Sequence, residues 1–465
     1  MRLCTLALAS LCMAGPARAD IPPLSEVAIS TATALRDEHS TAGVAYGLVE
    51  SLTTEVGPRM AGTEADVRAV AWARAKFEAL GFDSVRVEPF SFPYWRRGHE
   101  RGEVLSPFPQ PLAVTALGGS EGTGDTPLEG EIVAFDSLAE LQAAEPGAVE
   151  GKIVFITQRT QRFKDGRGYG LSVIGRSSGA TEASKRGAVG LIIRSISTNS
   201  DRFPHTGMMR YAPDVKPIPA AAVSNPDADL LINMLGRGEP VRIRLDIDAE
   251  TRGEAVSYNV IGDIVGRERP DEVVVIGGHL DSWDLGTGAL DDGAGVGITM
   301  AAGAAILKQE QRPRRSVRVI AWGNEEQGLI GARAYAEAHA GQMSKHVLGA
   351  ESDFGAGRVY ALRAGVDARY WPVLEQIAAV LAPLGIAFER EGGGPGPDVI
   401  PLVQRGMPWA QLAQDGSDYF DYHHTANDTL DKIDSEALDQ QAAAYAVLAF
   451  LAAEAEADFG RVPAQ

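Results

Sequence analysis

The chain has 465 residues, of which 45% are hydrophobic and 23% charged, with a formal net charge of −19. That length allows two or three domains, and the composition is ordinary for a globular protein. The acidic balance argues against a nucleic-acid partner, which needs clustered Lys and Arg, and after the first twenty residues no apolar run approaches the roughly 20 residues that span a bilayer.

Residues 1–19 read as a removable export signal. Arg2 supplies the charged start, residues 3–13 a short apolar core, and Ala17-Arg18-Ala19 a small-residue cleavage site. Export to a periplasm or to the medium is the expectation, with no membrane anchor once the signal is removed. Cys4 and Cys12 both fall inside this segment, and Leu11 before Cys12 is a poor match to a lipoprotein signal. A mature chain starting near Asp20 therefore has no disulfide and no thiol to act as nucleophile or ligand.

The first stretch after the signal, to about Ser51, reads as helical, and residues 57–63 as a turn. Thr63 is an N-cap candidate; Val70, Ala73, Phe77 and Leu80 recur at helical spacing and Gly81 stops the helix. Residues 85–92 predict a strand. From about Val104 the texture changes to short β-like runs, at 131–135, 152–157, 190–194 and 241–247, separated by Gly- and Pro-rich turns. Only 181–186 and 227–235 read as helical there. Residues 257–266 open a new alternation: strand 272–276, helix 293–308, strand 316–321, helix 329–338, strand 346–350, and a last long helix over 435–457. The fold class is α/β, a mixed and mostly parallel sheet flanked by helices. A β-rich module over 105–252 is inserted between an N-terminal part, 20–104, and a C-terminal part, 253–465.

In open α/β sheets ligands bind beyond the carboxyl ends of the strands. His279 and Asp281 follow one predicted strand, Glu325 and Glu326 the next, and Asp353 a third; Asp291 precedes a helix, and His424 lies in a loop before the last helix. Imidazole nitrogen and carboxylate oxygen are zinc ligands, and a catalytic site keeps a position open for water. Two Zn²⁺ about 3.5–4 Å apart need one bridging carboxylate and further ligands on each side. Asp291 fits the bridge, His279 and Asp353 one ion, Glu326 and His424 the other. Asp281 is placed to orient the His279 imidazole, and Glu325, beside a ligand but not one itself, to act as general base. Each piece alone reads equally as a solvated turn, a helix cap or a polar loop; the strength lies in their common edge.

The runs Gly278-His279-Leu280-Asp281-Ser282-Trp283-Asp284, Asp291-Asp292-Gly293, Asn324-Glu325-Glu326-Gln327-Gly328, Glu351-Ser352-Asp353, and His423-His424-Thr425 with Asp428-Thr429 resemble the di-zinc exopeptidases of metallopeptidase family 28. Gly57-Pro58-Arg59, Arg176-Ser177-Ser178-Gly179-Ala180, Pro204-His205-Thr206-Gly207 and Ile218-Pro219-Ala220 look like segments of one subgroup of that family. The last three lie in the insertion, which resembles a protease-associated domain. The resemblance implies the same five zinc ligands, Asp281 and Glu325 as active-site acids, short peptide substrates, and a homodimer. It also places Asp398 in a substrate loop, here after Pro397 rather than a small hydroxyl residue. Tyr419, Tyr422 and His423 join Asp398 as substrate-binding candidates, because residues 415–422 depart from the vertebrate pattern where a substrate pocket is expected. A dipeptidase or aminopeptidase, a carboxypeptidase, a metal-free binding protein and a glutaminyl cyclase-like acyltransferase all use this scaffold. The intact ligand set and Glu325 favour the exopeptidases, and the terminus that enters the site is left open.

Overall fold

The structure is a computed structural model and describes residues 21–39 and 43–462. The expected export signal over 1–19, with both cysteines, lies outside the described residues.

Strands Arg269–His279, Arg315–Trp322 and His346–Glu351 lie side by side and parallel, with Arg269–His279 in the middle. Helices cover both faces, so these strands are buried on both sides and their sequences run apolar without alternation, as in Val273-Val274-Val275-Ile276. Trp409–Gln414 extends the parallel set beyond His346–Glu351, and Val359–Gly365 and Arg242–Ile264 add antiparallel strands on either side. Parallel direction brings His279, Trp322 and Glu351 to one edge, and the loops that follow them carry the candidate residues.

Two helices fill the interior behind that edge. The span Ala289–Leu307, which takes in helix Ala294–Leu307, is long and apolar enough to cross a membrane by length and composition, yet it is packed inside the protein. Its glycines make this possible: a Cβ on Gly303 would meet Phe82 and Val319. The Ala-rich Ser435–Glu454 packs against it and is buried along nearly its whole length. Helix Glu64–Leu80 is capped as its sequence predicts. Thr63 Oγ1 accepts from Asp66 N at 3.2 Å, and Gly81 closes the far end at φ 85°.

The strand predicted over 85–92 is longer in the structure, running Ser84–Ser106 and pairing antiparallel with Arg242–Ile264 along most of its length. Charge hides this ribbon from a hydropathy reading. Arg96 pairs with Asp248 and Glu250, and His99 with Asp246, so its polar middle is held by cross-strand ion pairs rather than burial. From the ribbon the sheet continues through Leu128–Phe135, Ile153–Ile156, Gly190–Arg194 and Ala220–Val223 to Val114–Ala116. A 19-residue helix, Arg167–Lys185, stands where periodicity predicts only 181–186. Gly168, Gly170, Gly175 and Gly179 lower its helix propensity. They also let it lie close on the strands: a Cβ on Gly179 would be 3.1 Å from Ile156 and Leu191.

His346, at the start of its strand, is buried between Tyr335 OH at 2.8 Å and Gln342 O at 3.1 Å. Burial lowers its pKa to about 4, so the folded protein holds it neutral. Its stabilising share is present above the unfolded value of about 6.5 and is lost as pH falls from there towards 4. In zinc-free protein, His346→Gln is expected to flatten the fall of melting temperature across that window, checked by calorimetry at stepped pH.

Candidate metal centre

His279 ends its strand, and its Nε2 lies 3.1 Å from Asp291 Oδ1 and 3.7 Å from Asp353 Oδ1. Asp291 Oδ2 lies 3.2 Å from Nε2 of His424, and that nitrogen lies 3.0 Å from Glu326 Oε2. One carboxylate is thus divided between two imidazoles, with Asp353 outside the first and Glu326 outside the second. All five are buried or nearly so. Among the described residues no Lys or Arg forms an ion pair with any of them.

The loops reach this geometry through specific backbone devices. Asp291 and Asp292 occupy a non-helical turn, residues 289–293, ahead of helix Ala294–Leu307. Asp428 holds that turn by accepting from Leu290 N at 2.7 Å and Asp291 N at 3.2 Å. Asp292 accepts from His279 N and Gly295 N, both at 2.9 Å. Beneath the turn Arg59, fully buried, donates to the carbonyls of Leu280, Thr287 and Gly288 at 2.5–2.8 Å. Asn324 at φ 55° and His424 at φ 62° adopt left-handed backbone that costs energy in non-glycine residues. Such strain collects where a side chain must be aimed.

Asp281 Oδ1 lies 3.7 Å from His279 Nδ1, and the residue makes closer contacts as well. Its backbone oxygen meets His279 Nδ1 at 2.9 Å, while its carboxylate oxygens are 3.0 Å from Glu325 N and 3.4 Å from Glu326 N. One residue therefore fixes both the imidazole and the two-glutamate turn. Glu325 is half-buried.

The carboxylates crowd one another. Burial raises Glu325 well above the usual range, with Asp353 and Glu326 adding to it, and raises Glu326 to about 6. Against the burial penalty, hydrogen bonds from His279 and His424 hold Asp291 well below that range. Burial opposes but does not prevent a raised pKa at His279, beside Asp281, Asp291 and Asp353, or at His424, which Glu326 and Asp291 bring to about 9. A metal taking these nitrogens must displace their protons.

The substrate candidates are placed differently from one another. His423 is buried and stacked on His424 with centroids 3.4 Å apart, and its Nε2 is 3.7 Å from Asp291 Oδ2, inside the cluster itself. Tyr419 is buried against Phe354, Phe420 and His423. Tyr422 is half-buried, with Lys432 over its ring. Asp398 is fully buried, its N donating to Glu351 Oε2 at 2.8 Å. A cavity of about 250 Å³ opens beside Asp353, lined by Phe354, Tyr360, Arg363, Pro397 and residues 411–414, not by 415–422. Arg59, Asp292 and Asp428 carried no role in the sequence reading; their only signal was position inside the quoted motif runs.

The donors suit a metal. Buried Glu326 Oε1 lacks a hydrogen-bond partner, and imidazole and carboxylate atoms converge in three overlapping groups: Asp291, His423 and His424; His279, Asp292 and Asp353; His279, Asp291 and Glu326. Residues 259–449 match the model of peptidase family M28. The chain is 36% identical over 401 residues to carboxypeptidase Q of Xenopus laevis, covering 86% of this chain and 84% of that one. It is 34% identical over 411 residues to carboxypeptidase Q of Homo sapiens, covering 88% and 85%. The crystal structure of a peptidase M28 precursor from Shewanella amazonensis superposes with a TM-score of 0.93 at 50% identity, covering 95% of this chain and 100% of that one. The Bacillus subtilis zinc aminopeptidase BSAP shares the fold at 20% identity with a TM-score of 0.64, covering 87% and 94%. The chain belongs to peptidase family M28, and it is a metallo-exopeptidase.

Proposed function

We propose that the protein binds two zinc ions and removes a terminal residue from dipeptides or short peptides after export. The observation that carries this reading is Asp291, whose two oxygens are divided between His279 and His424 at 3.1 and 3.2 Å. A carboxylate so placed suits the bridge between two ions, with His279 and Asp353 holding one and Glu326 and His424 the other. The nitrogen and oxygen donors suit zinc. The curated relatives are carboxypeptidases Q by name, and BSAP, of the same fold, is a zinc aminopeptidase. The start of the chain, Arg2 to Ala19, reads as an export signal.

Bound zinc would polarise the scissile carbonyl and acidify a water beside it. Glu325, beside a ligand and not one itself in this arrangement, takes the proton from the attacking water and delivers it to the departing amine nitrogen. Asp281 holds Glu325 in place through its backbone N–H. The cavity beside Asp353 has room for one amino-acid side chain, with Phe354 and Tyr360 offering ring faces and Arg363 and Gln411 polar ends.

Elemental analysis of unstripped protein should find two zinc per chain; one or none would undercut the bridged site. Glu325→Gln should keep both metals and lose at least about 100-fold in kcat, the usual scale for a general base. Wild-type turnover in that variant would remove Glu325 from the role. A panel of dipeptides and aminoacyl substrates, with and without chelator and with free or blocked amines, decides the terminus. Loss of hydrolysis on blocking the amine is expected for a dipeptidase or aminopeptidase, whereas cleavage of N-blocked peptides with free carboxylates would show a carboxypeptidase.

A further inference from the structure

Both hydrogen-bonding ends of one metal-facing residue meet the inserted segment. Thr206 N donates to His424 O at 3.1 Å, and His424 Nδ1 lies 3.2 Å from Thr206 O. A ring nitrogen facing a carbonyl can only donate, so a neutral His424 ring carries its proton on Nδ1 and leaves the Nε2 lone pair, on the side of Glu326 and Asp291, for a metal that those carboxylates would share. Thr206 is itself fixed. Its Oγ1 donates to Ala116 O at 2.8 Å and lies 3.2 Å from Arg97 Nη1. Buried Arg176 donates to the same Thr206 carbonyl at 3.3 Å and to Tyr169 OH at 2.6 Å. Gly207, at φ 135°, lets the chain pass this close: a Cβ there would sit 2.8 Å from His424 Nδ1 and against Arg176 Nη1.

The grip extends along the loop that leads to His424. Gly416 N donates to Lys164 O at 3.0 Å, and Arg162 donates to Ser417 O and Asp421 Oδ1, both at 2.6 Å. Thr198 N donates to Phe420 O at 3.3 Å, and Tyr169 stacks on the Phe420 ring at 4.7 Å. The other half of the cluster is held differently. His279 is fixed by Asp281 O and Asp292, and the segment carrying Asp353 is fixed where Ser352 N donates to Gly277 O at 2.9 Å; the insertion meets this side through Gly166, packed against Phe354, and through Asp165 in the cavity beside Asp353.

We infer that the inserted segment is a metal-affinity element for one position only. The Thr206 carbonyl, held by Arg176, sets the tautomer and aim of His424, so the position of Glu326 and His424 depends on the insertion while that of His279 and Asp353 does not. Thr206 and Arg176 are positioning residues here, acting through His424. The inference rests on the two-zinc reading above.

Zinc per chain, measured on the full chain dialysed against graded chelator, tests it in wild type, Gly207→Ala and Arg176→Met. Disturbing a partner behind a metal-bound histidine typically lowers metal affinity about 10–100-fold. Gly207→Ala is therefore expected to fall from two zincs to one at about tenfold lower free chelator. Arg176→Met should shift in the same direction by a smaller factor, and in both variants the remaining zinc should leave at the wild-type concentration. Two zincs retained as in wild type in both variants overturns the inference. So does parallel loss of both zincs, which is what general misfolding would give. Fewer than two zincs in wild type overturns the two-metal reading, and this inference with it.

Discussion

Asp291 shared between His279 and His424 is the contact around which the rest of the centre has to be arranged, because it draws a dense set of buried acids together. Asp353 acts on Asp292, Glu325 and Glu351, Glu326 on Glu325, Glu351 on Asp398, and Asp291 on Asp428. Repulsion between unit charges a few ångströms apart is worth several kcal/mol where water is scarce. The chain offsets it with backbone donors: Leu290 N and Asp291 N on Asp428, His279 N and Gly295 N on Asp292, Glu325 N on Asp281, Asp398 N on Glu351. Buried Arg59 adds a fixed positive charge beneath the turn. Burial still pushes Asp428 to about 7 and Glu351 to about 8. A site built this way gains much of its stability only with cations in it, so metal binding and folding are linked.

The adjacent Glu325 and Glu326 sit in a sharp backbone turn between strand and helix. Asn324 supplies it in the left-handed region, where asparagine is better tolerated than most residues. The turn is tied by Ile330 N to Asn324 O at 2.9 Å, Gly331 N to Gly323 O at 3.0 Å, and Asn259 Oδ1 to Gly323 N at 3.0 Å. With the backbone fixed, Glu326 points to His424 while the Glu325 backbone N–H is held by Asp281. His424 has the same strained backbone region, and its compensation comes from Thr206.

The candidate cluster was legible from sequence because strand-end placement is a rule of parallel sheets, and apolar runs such as 273–276 mark those strands without alternation. Contacts that depend on distant chain segments were not legible. Thr206 is 218 positions from His424, and nothing in residues 204–207 beyond a subgroup resemblance announced where they would meet. His423 read as a pocket residue, and only the stack on His424 shows it beside Asp291. Helix Arg167–Lys185 was read short because its glycines serve close packing at the expense of propensity, and the long ribbon was read short because ion pairs replace apolar alternation.

These arrangements make the shape of the entrance and the grip on the metal hard to change separately. Asp165 lines the cavity beside Asp353, and Gly166 packs against Phe354 on its wall. The same stretch supplies Arg162, Lys164 and Tyr169 to the loop that ends in His424. Trimming it would free that loop, and with it a strained histidine whose backbone conformation is over-determined only by its neighbours. A wider entrance would thus come with a weaker hold on His424.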